Sequence, residues 1–225
     1  AQTAYLESLE IYEQLNNRYS TALVLGNIGT IESELGQQAA ARANYEKSYE
    51  LCVEIGDQAG MGFALMNIAA THEREDNLEE ARELYQQGIK ILKQVNYVAV
   101  LPTALRGISL VLARLGNTAM ARVYLHEALQ LCQENGMLPA LVRTILTAAR
   151  LLQLAGNQSR ALSLALVVLN HPKSNRETVT LAEETAASLR EAVAPDVARR
   201  AAVWAQETPF ADVVTAVLQN ISSQN

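Results

Sequence analysis

The chain has 225 residues, of which 49% are apolar but only 5% aromatic, with five prolines and a formal charge of −6. No apolar run reaches the eighteen or more residues of a membrane span, and nothing at the N-terminus reads as a signal peptide; the longest apolar run, Ala161 to Leu169, is broken by Ser163. Residues 1–100 hold fifteen Asp/Glu and seven Lys/Arg (−8), residues 101–225 nine and eleven (+2), so an acidic first half without a lysine-rich, aromatic-laced stripe argues against wrapping nucleic acid.

The first element is a short helix over residues 1–19. Ala1-Gln-Thr-Ala-Tyr-Leu-Glu-Ser8 falls on Ala41-Arg-Ala-Asn-Tyr-Glu-Lys-Ser48 forty residues later, so the first residue lies inside the second helix of a repeat. We therefore expect a piece of a longer polypeptide, with any catalytic, nucleotide-binding or DNA-binding part upstream. Next come four loops at intervals of forty residues: Leu35-Gly36-Gln37, Glu75-Asp76-Asn77, Leu115-Gly116-Asn117 and Ala155-Gly156-Asn157. A fixed period of this size means stacked supersecondary units.

Each loop separates two segments of helical periodicity. The first, helix A, starts near Ser20, Gly60, Leu101 or Leu138 and carries Leu25, Ile28 and Ile31, then Leu65 and Ile68, then Leu105, Ile108 and Leu112, then Ile145, Ala148 and Leu152. The second, helix B, carries Tyr45, Ser48 and Leu51, then Tyr85, Gly88 and Leu92, then Leu125, Ala128 and Leu131. Small residues recur at Gly29, Ala69, Ser109 and Ala149 and at Ala41, Ala81, Ala121 and Ala161, which lets paired helices approach closely. Gly36, Gly116 and Gly156 suit a left-handed residue that ends a helix, with Asp76 as substitute.

These features resemble the tetratricopeptide repeat in a forty-residue form. Asn27-Ile28-Gly29 and Asn67-Ile68-Ala69 match its helix A core pair, and Ala41/Tyr45 and Ala81/Tyr85 its helix B alanine and aromatic sites; the fourth repeat departs, with Ala148 and Ala165 where larger residues are usual. The resemblance implies an all-α, right-handed superhelical solenoid of antiparallel helix pairs with a C-terminal capping helix. We expect one domain over 1–225: a truncated repeat at 1–19, repeats at 20–57, 58–97, 98–137 and 138–170, and a degenerate repeat with its cap at 171–225.

Past Asn170 the register decays. His171-Pro172-Lys173-Ser174 breaks the chain, Asn175 to Val193 reads as a long helix, Pro195 suits the first turn of the next, and Pro209 begins a last helix to about Asn220. The stretch from Leu189 through Pro195, Trp204 and Phe210 to Leu218 is similar to the tails of bacterial STAND-type signalling ATPases, in which a nucleotide-binding switch precedes such an array. No switch residue is in this chain.

Motifs for chemistry are scarce. His72-Glu73-Arg74-Glu75-Asp76 has Asp where a zinc-protease motif needs its second His, and no Cys/His pair has ligand spacing, so no metal or other cofactor is implied. No phosphate loop, nucleophile elbow or paired carboxylates occur, so no catalytic residue is assigned. Cys52 and Cys132 stand two periods apart, too far for a disulfide in a stacked array, and read as buried free thiols of a reducing, cytoplasmic setting.

Tetratricopeptide arrays bind mostly through helix A on a concave face. In this register that face includes Asn27, Thr30, Phe63, Met66, Asn67, Arg74, Arg106, Leu110, Arg114, Arg143 and Arg150. Its second half is arginine-rich; either the arginines pair with nearby carboxylates such as Glu73 and Glu127, or they form a groove for an acidic peptide. The expected function is noncatalytic protein or peptide binding, as the C-terminal sensor of a cytoplasmic signalling ATPase or transcription regulator whose own NTPase domain is a further partner. Neither direct nucleic-acid nor membrane contact is expected. A free-standing assembly scaffold and a small-molecule inducer sensor are the alternatives.

Overall fold

The computed structural model describes residues 2–222, with side chains from 3 to 219. Its regular structure among the described residues is entirely helical: α1 Gln2–Gln14, α2 Arg18–Glu34, α3 Gln38–Ile55, α4 Gln58–Arg74, α5 Leu78–Gln94, α6 Leu101–Arg114, α7 Thr118–Glu134, α8 Leu138–Leu154, α9 Gln158–Asn170, α10 Arg176–Glu191, α11 Pro195–Glu207 and α12 Phe210–Ser222. Helix A of the sequence register is α2, α4, α6 and α8; helix B is α1, α3, α5, α7 and α9. The chain divides into two compact units, Ala1–Val111 and Leu112–Asn225.

Helix ends set the period. Among the described residues, eight residues with positive φ stand every twenty positions: Asn16, Gly36, Gly56, Asp76, Asn96, Gly116, Gly136 and Gly156. At each, the next residue's N–H reaches back to the carbonyl five before it, as Gln37 to Glu32 at 2.8 Å and Asn157 to Leu152 at 2.8 Å, while the left-handed residue's own N–H takes the carbonyl three back. This paired closure of a helix C-terminus satisfies carbonyls that would otherwise be orphaned. The residue after each turn opens the next helix. Asn17, Asp57, Asn117 and Asn157 each accept a hydrogen bond from the backbone three residues on. The loops that join helix B to the next helix A thus repeat the geometry expected only of the A-to-B loops.

In unit one, neighbouring helices pack in sequence order from α1 to α5, and α2 also touches α4. The small residues mark the close approaches. Ala41, Ala69 and Ala81 are fully buried, and a Cβ on Gly29 would lie 2.8 Å from the Tyr45 ring. Tyr45 and Ile68 pack with Ala41, Tyr49 and Leu84 into a core shared by α3, α4 and α5. Burying a side chain such as Ile68 contributes about 1.5–3 kcal/mol.

Unit two has the larger core, in which Leu125, Leu129, Ile145, Leu146, Leu162, Leu164 and Leu189 are sealed from solvent. Here α9 carries both α10 and α11, and α12 lies on α7 and α8. Asn175 caps α10 through a 2.8 Å bond from the Thr178 N–H, and Pro195 sits in the first turn of α11. The turn after α9 is tied to α12 by His171 against Phe210, ring centroids 4.3 Å apart. Cys52 and Cys132 are both free and buried.

Candidate functional site

In unit one the expected binding face lies on α2, α4 and α6. Gly26 leaves room for the half-buried Phe63 ring, 3.8 Å from where a Cβ would stand. Exposed Thr30 donates to the Gly26 carbonyl at 3.0 Å and accepts from the Tyr45 hydroxyl at 3.3 Å. Asn27 and Asn67 occupy matching register positions and are half-buried. The Asn67 amide nitrogen is buried and has no hydrogen-bond partner among the described residues. Just N-terminal to this group on α2, Tyr19 and Leu23 are 59% and 58% exposed.

The other unit-one residues of that face are engaged in the fold. Met66 and Leu110 are buried at 4% and 7% exposure. Arg74 donates to the Ser33 carbonyl at 3.1 Å and also to the Ser33 hydroxyl. Arg106 is only 9% exposed and donates to Thr103 at 3.1 Å. It also shares the charge environment of the Tyr85 phenol, which donates to Glu73 at 3.1 Å. Burial is the main cause raising that phenol well above its usual range; Glu73 adds to it, while Arg106 and Arg74 oppose it. Asn27, Thr30, Phe63 and Asn67 are therefore the polar and aromatic members of that face on α2 and α4 that are not fully buried.

In unit two, Arg114 is exposed at the end of α6. Arg143 makes a bidentate ion pair with Glu177 of α10, Nη1 to Oε2 at 2.6 Å. Arg150 is half-buried and makes no hydrogen bond or ion pair among the described residues. The Arg143 partner was invisible to the repeat register because α10 lies beyond it; only the Glu177 position in the first turn after Asn175 offered a signal. Among the described residues, no group of three or more His, Cys, Asp and Glu is placed to hold a metal, and no helix is long and apolar enough to cross a membrane.

Models described as tetratricopeptide repeat match residues 1–54, 39–94 and 103–135, more than half of the chain between them. The chain belongs to the tetratricopeptide-repeat family. No curated protein gives a significant sequence match. Among solved structures it is similar to aspartyl phosphate phosphatase F from Bacillus subtilis, at 16% identity and a TM-score of 0.62 over 84% of this chain and 54% of that one, so it spans about half the phosphatase's length. The apo form of RapI gives 13% identity and a TM-score of 0.64 over 89% of this chain and 76% of its own. BtubC (BKLC) from P. vanneervenii gives 13% identity and 0.67 over 99% and 90%. At these identities the likeness establishes the helical-repeat fold.

Proposed function

We propose that the chain is a noncatalytic module that binds a protein or peptide on the helix A face, in unit one through Asn27, Thr30, Phe63 and Asn67. The observation that carries this reading is the Asn67 amide, a buried donor with no partner among the described residues. Leaving such a group unpaired costs about 1–3 kcal/mol. Reorienting the amide toward a bound peptide carbonyl would recover that cost, and Phe63 beside it offers an apolar seat for a side chain.

The finer reading is a C-terminal sensor of a larger cytoplasmic signalling ATPase or transcription regulator, supported by the tail resemblance through Trp204 and Phe210. Two buried free thiols suit the reducing setting. An acidic segment is the partner chemistry that Arg150 favours, with Arg114 exposed in the same unit. Selection of peptides from a randomised display library tests the reading: binders that lose affinity with Asn67→Ala and Phe63→Ala support it. Binders indifferent to both substitutions would move the site elsewhere.

A further inference from the structure

We propose that unit two holds a site for a small carboxylate with an apolar body, its charge met by Arg122. The inference begins with the repeat register. In unit one, Ala41 and Tyr45 of a helix B, Ile68 of the next helix A and Leu84 of the helix B after it pack into one cluster. Eighty residues later the same places hold Ala121, Leu125, Ala148 and Leu164. A phenol ring has become an isobutyl group and a branched chain has become a methyl. All four residues line a cavity of about 330 Å³. That is about twice the ~150 Å³ cavity that takes up one benzene, and at the small end of the range for ligand pockets.

The charge follows the same displacement. Arg42 in α3 forms an ion pair with Glu75, the residue that ends α4. In register, Arg122 stands for Arg42 and Ala155, which ends α8, stands for Glu75. Both line the cavity, and among the described residues no carboxylate does. Arg122 makes no hydrogen bond or ion pair among the described residues. A second guanidinium, Arg160, also lines the cavity and lies over the Trp204 ring, 4.2 Å from its centroid. Burial lowers the Arg160 pKa. Two cations at an apolar cavity, one of them stripped of its register's carboxylate, call for an external one: a guanidinium fork takes a carboxylate bidentately, and an apolar body fills the space left by the smaller side chains.

The site shares no residue with the α2 and α4 patch, so its test is independent of the peptide reading. The probes are 4-phenylbutanoate and its neutral counterpart 4-phenylbutanol, titrated calorimetrically into the whole chain, with the single tryptophan, Trp204, as a fluorescence reporter. We expect saturable binding of the acid at least about tenfold tighter than the alcohol, the ratio a charge-assisted hydrogen bond confers. Ala155→Glu, which restores the internal carboxylate, should remove the preference for the acid. Ala148→Ile, which refills the cavity, should weaken both probes about tenfold or more while the thermal melt holds or rises. Equal affinity for acid and alcohol, an unchanged affinity in Ala155→Glu, or no binding at millimolar concentration overturns the proposal. Tighter binding of acetyl-trileucine acid than of phenylbutanoate would give the site to a peptide C-terminus and overturn the small-molecule assignment.

Discussion

The Tyr85 hydroxyl donates to the Glu73 carboxylate across 3.1 Å, whereas Tyr45, its counterpart one repeat earlier, donates to the neutral Thr30 hydroxyl at 3.3 Å. Hydrogen bonds to charged groups are stronger than neutral ones. Tyr85→Phe should therefore cost about 1.5–3 kcal/mol and Tyr45→Phe about 1 kcal/mol. Urea denaturation of the two variants checks the order; a larger loss at Tyr45 would contradict the assignment.

Glycines at two places should fail for different reasons. A Cβ on Gly116, at φ 82°, meets nothing within 4 Å, so Gly116→Ala carries only the backbone cost of about 1 kcal/mol. A Cβ on Gly107 would lie 2.3 Å from the Tyr85 ring, so Gly107→Ala is an overpacking defect costing about 1–3 kcal/mol. Asn96, at φ 52°, is the reverse case, and Asn96→Gly should gain up to about 1 kcal/mol. Thermal melts of the three variants would show two losses and one gain, and Tyr85→Ala should relieve the loss at Gly107 alone.

Alkaline pH should destabilise unit one. Burial, with help from Asp57, pushes the Cys52 thiol up to about 11 from its usual value near 9. The unfolded chain therefore releases this proton at lower pH than the folded one. The contribution is fully present below about pH 9 and is lost as pH rises toward 11. Burial likewise raises the Tyr45 and Tyr85 phenols, so they act in the same direction at higher pH. Urea midpoints from pH 7.5 to 10.5 should fall, and Cys52→Ala should flatten the first part of the slope.

Much of this architecture was legible because helix caps and close helix contacts demand particular residues. Gly36, Asp76, Gly116 and Gly156 suit left-handed helix ends, and all four are; Ala41, Ala81, Ala121 and Ala161 suit close helix contacts, and all are sealed. The matching series Asn16, Gly56, Asn96 and Gly136 is harder to see, because asparagine and glycine alternate there without a shared neighbour. Register gives the side of a helix but not the depth of a side chain. Arg106 is buried because Gly107 next to it admits the Tyr85 ring, a contact between helices that no single segment reveals. Ala148 departs from the repeat pattern, yet its consequence depends on Leu125 being short as well.

The last helix should act as a cover. Val213, Val214 and Val217 are buried in the unit-two core, where α12 meets α7 and α8. Deleting residues 209–225 removes them and the His171–Phe210 contact, leaving an apolar face of the kind that drives association. Light scattering should report aggregation of the truncated chain at concentrations where the parent is clear. A truncated chain that stays monomeric would remove the covering role.

Asn67 separates a binding residue from a packing residue by the sign of one measurement. If its amide served the fold, replacing it with leucine would lose hydrogen bonds and lower stability. The amide nitrogen is instead buried without a partner among the described residues, so Asn67→Leu removes an unpaired polar group and adds apolar surface on the side of Phe63, one turn earlier. Stability should rise by about 1 kcal/mol, while affinity for peptides selected on the parent protein should fall by about 1.5–3 kcal/mol, the value of a buried hydrogen bond with its desolvation cost. Such an opposition between stability and binding is the usual mark of a functional polar residue. Asn27→Leu, one repeat earlier on the same face, should move in the same two directions more weakly, because its side chain carries no orphaned buried donor. Denaturant melts and calorimetric titration on the same two proteins decide it: a destabilised Asn67→Leu that binds as the parent does would return this residue to the core.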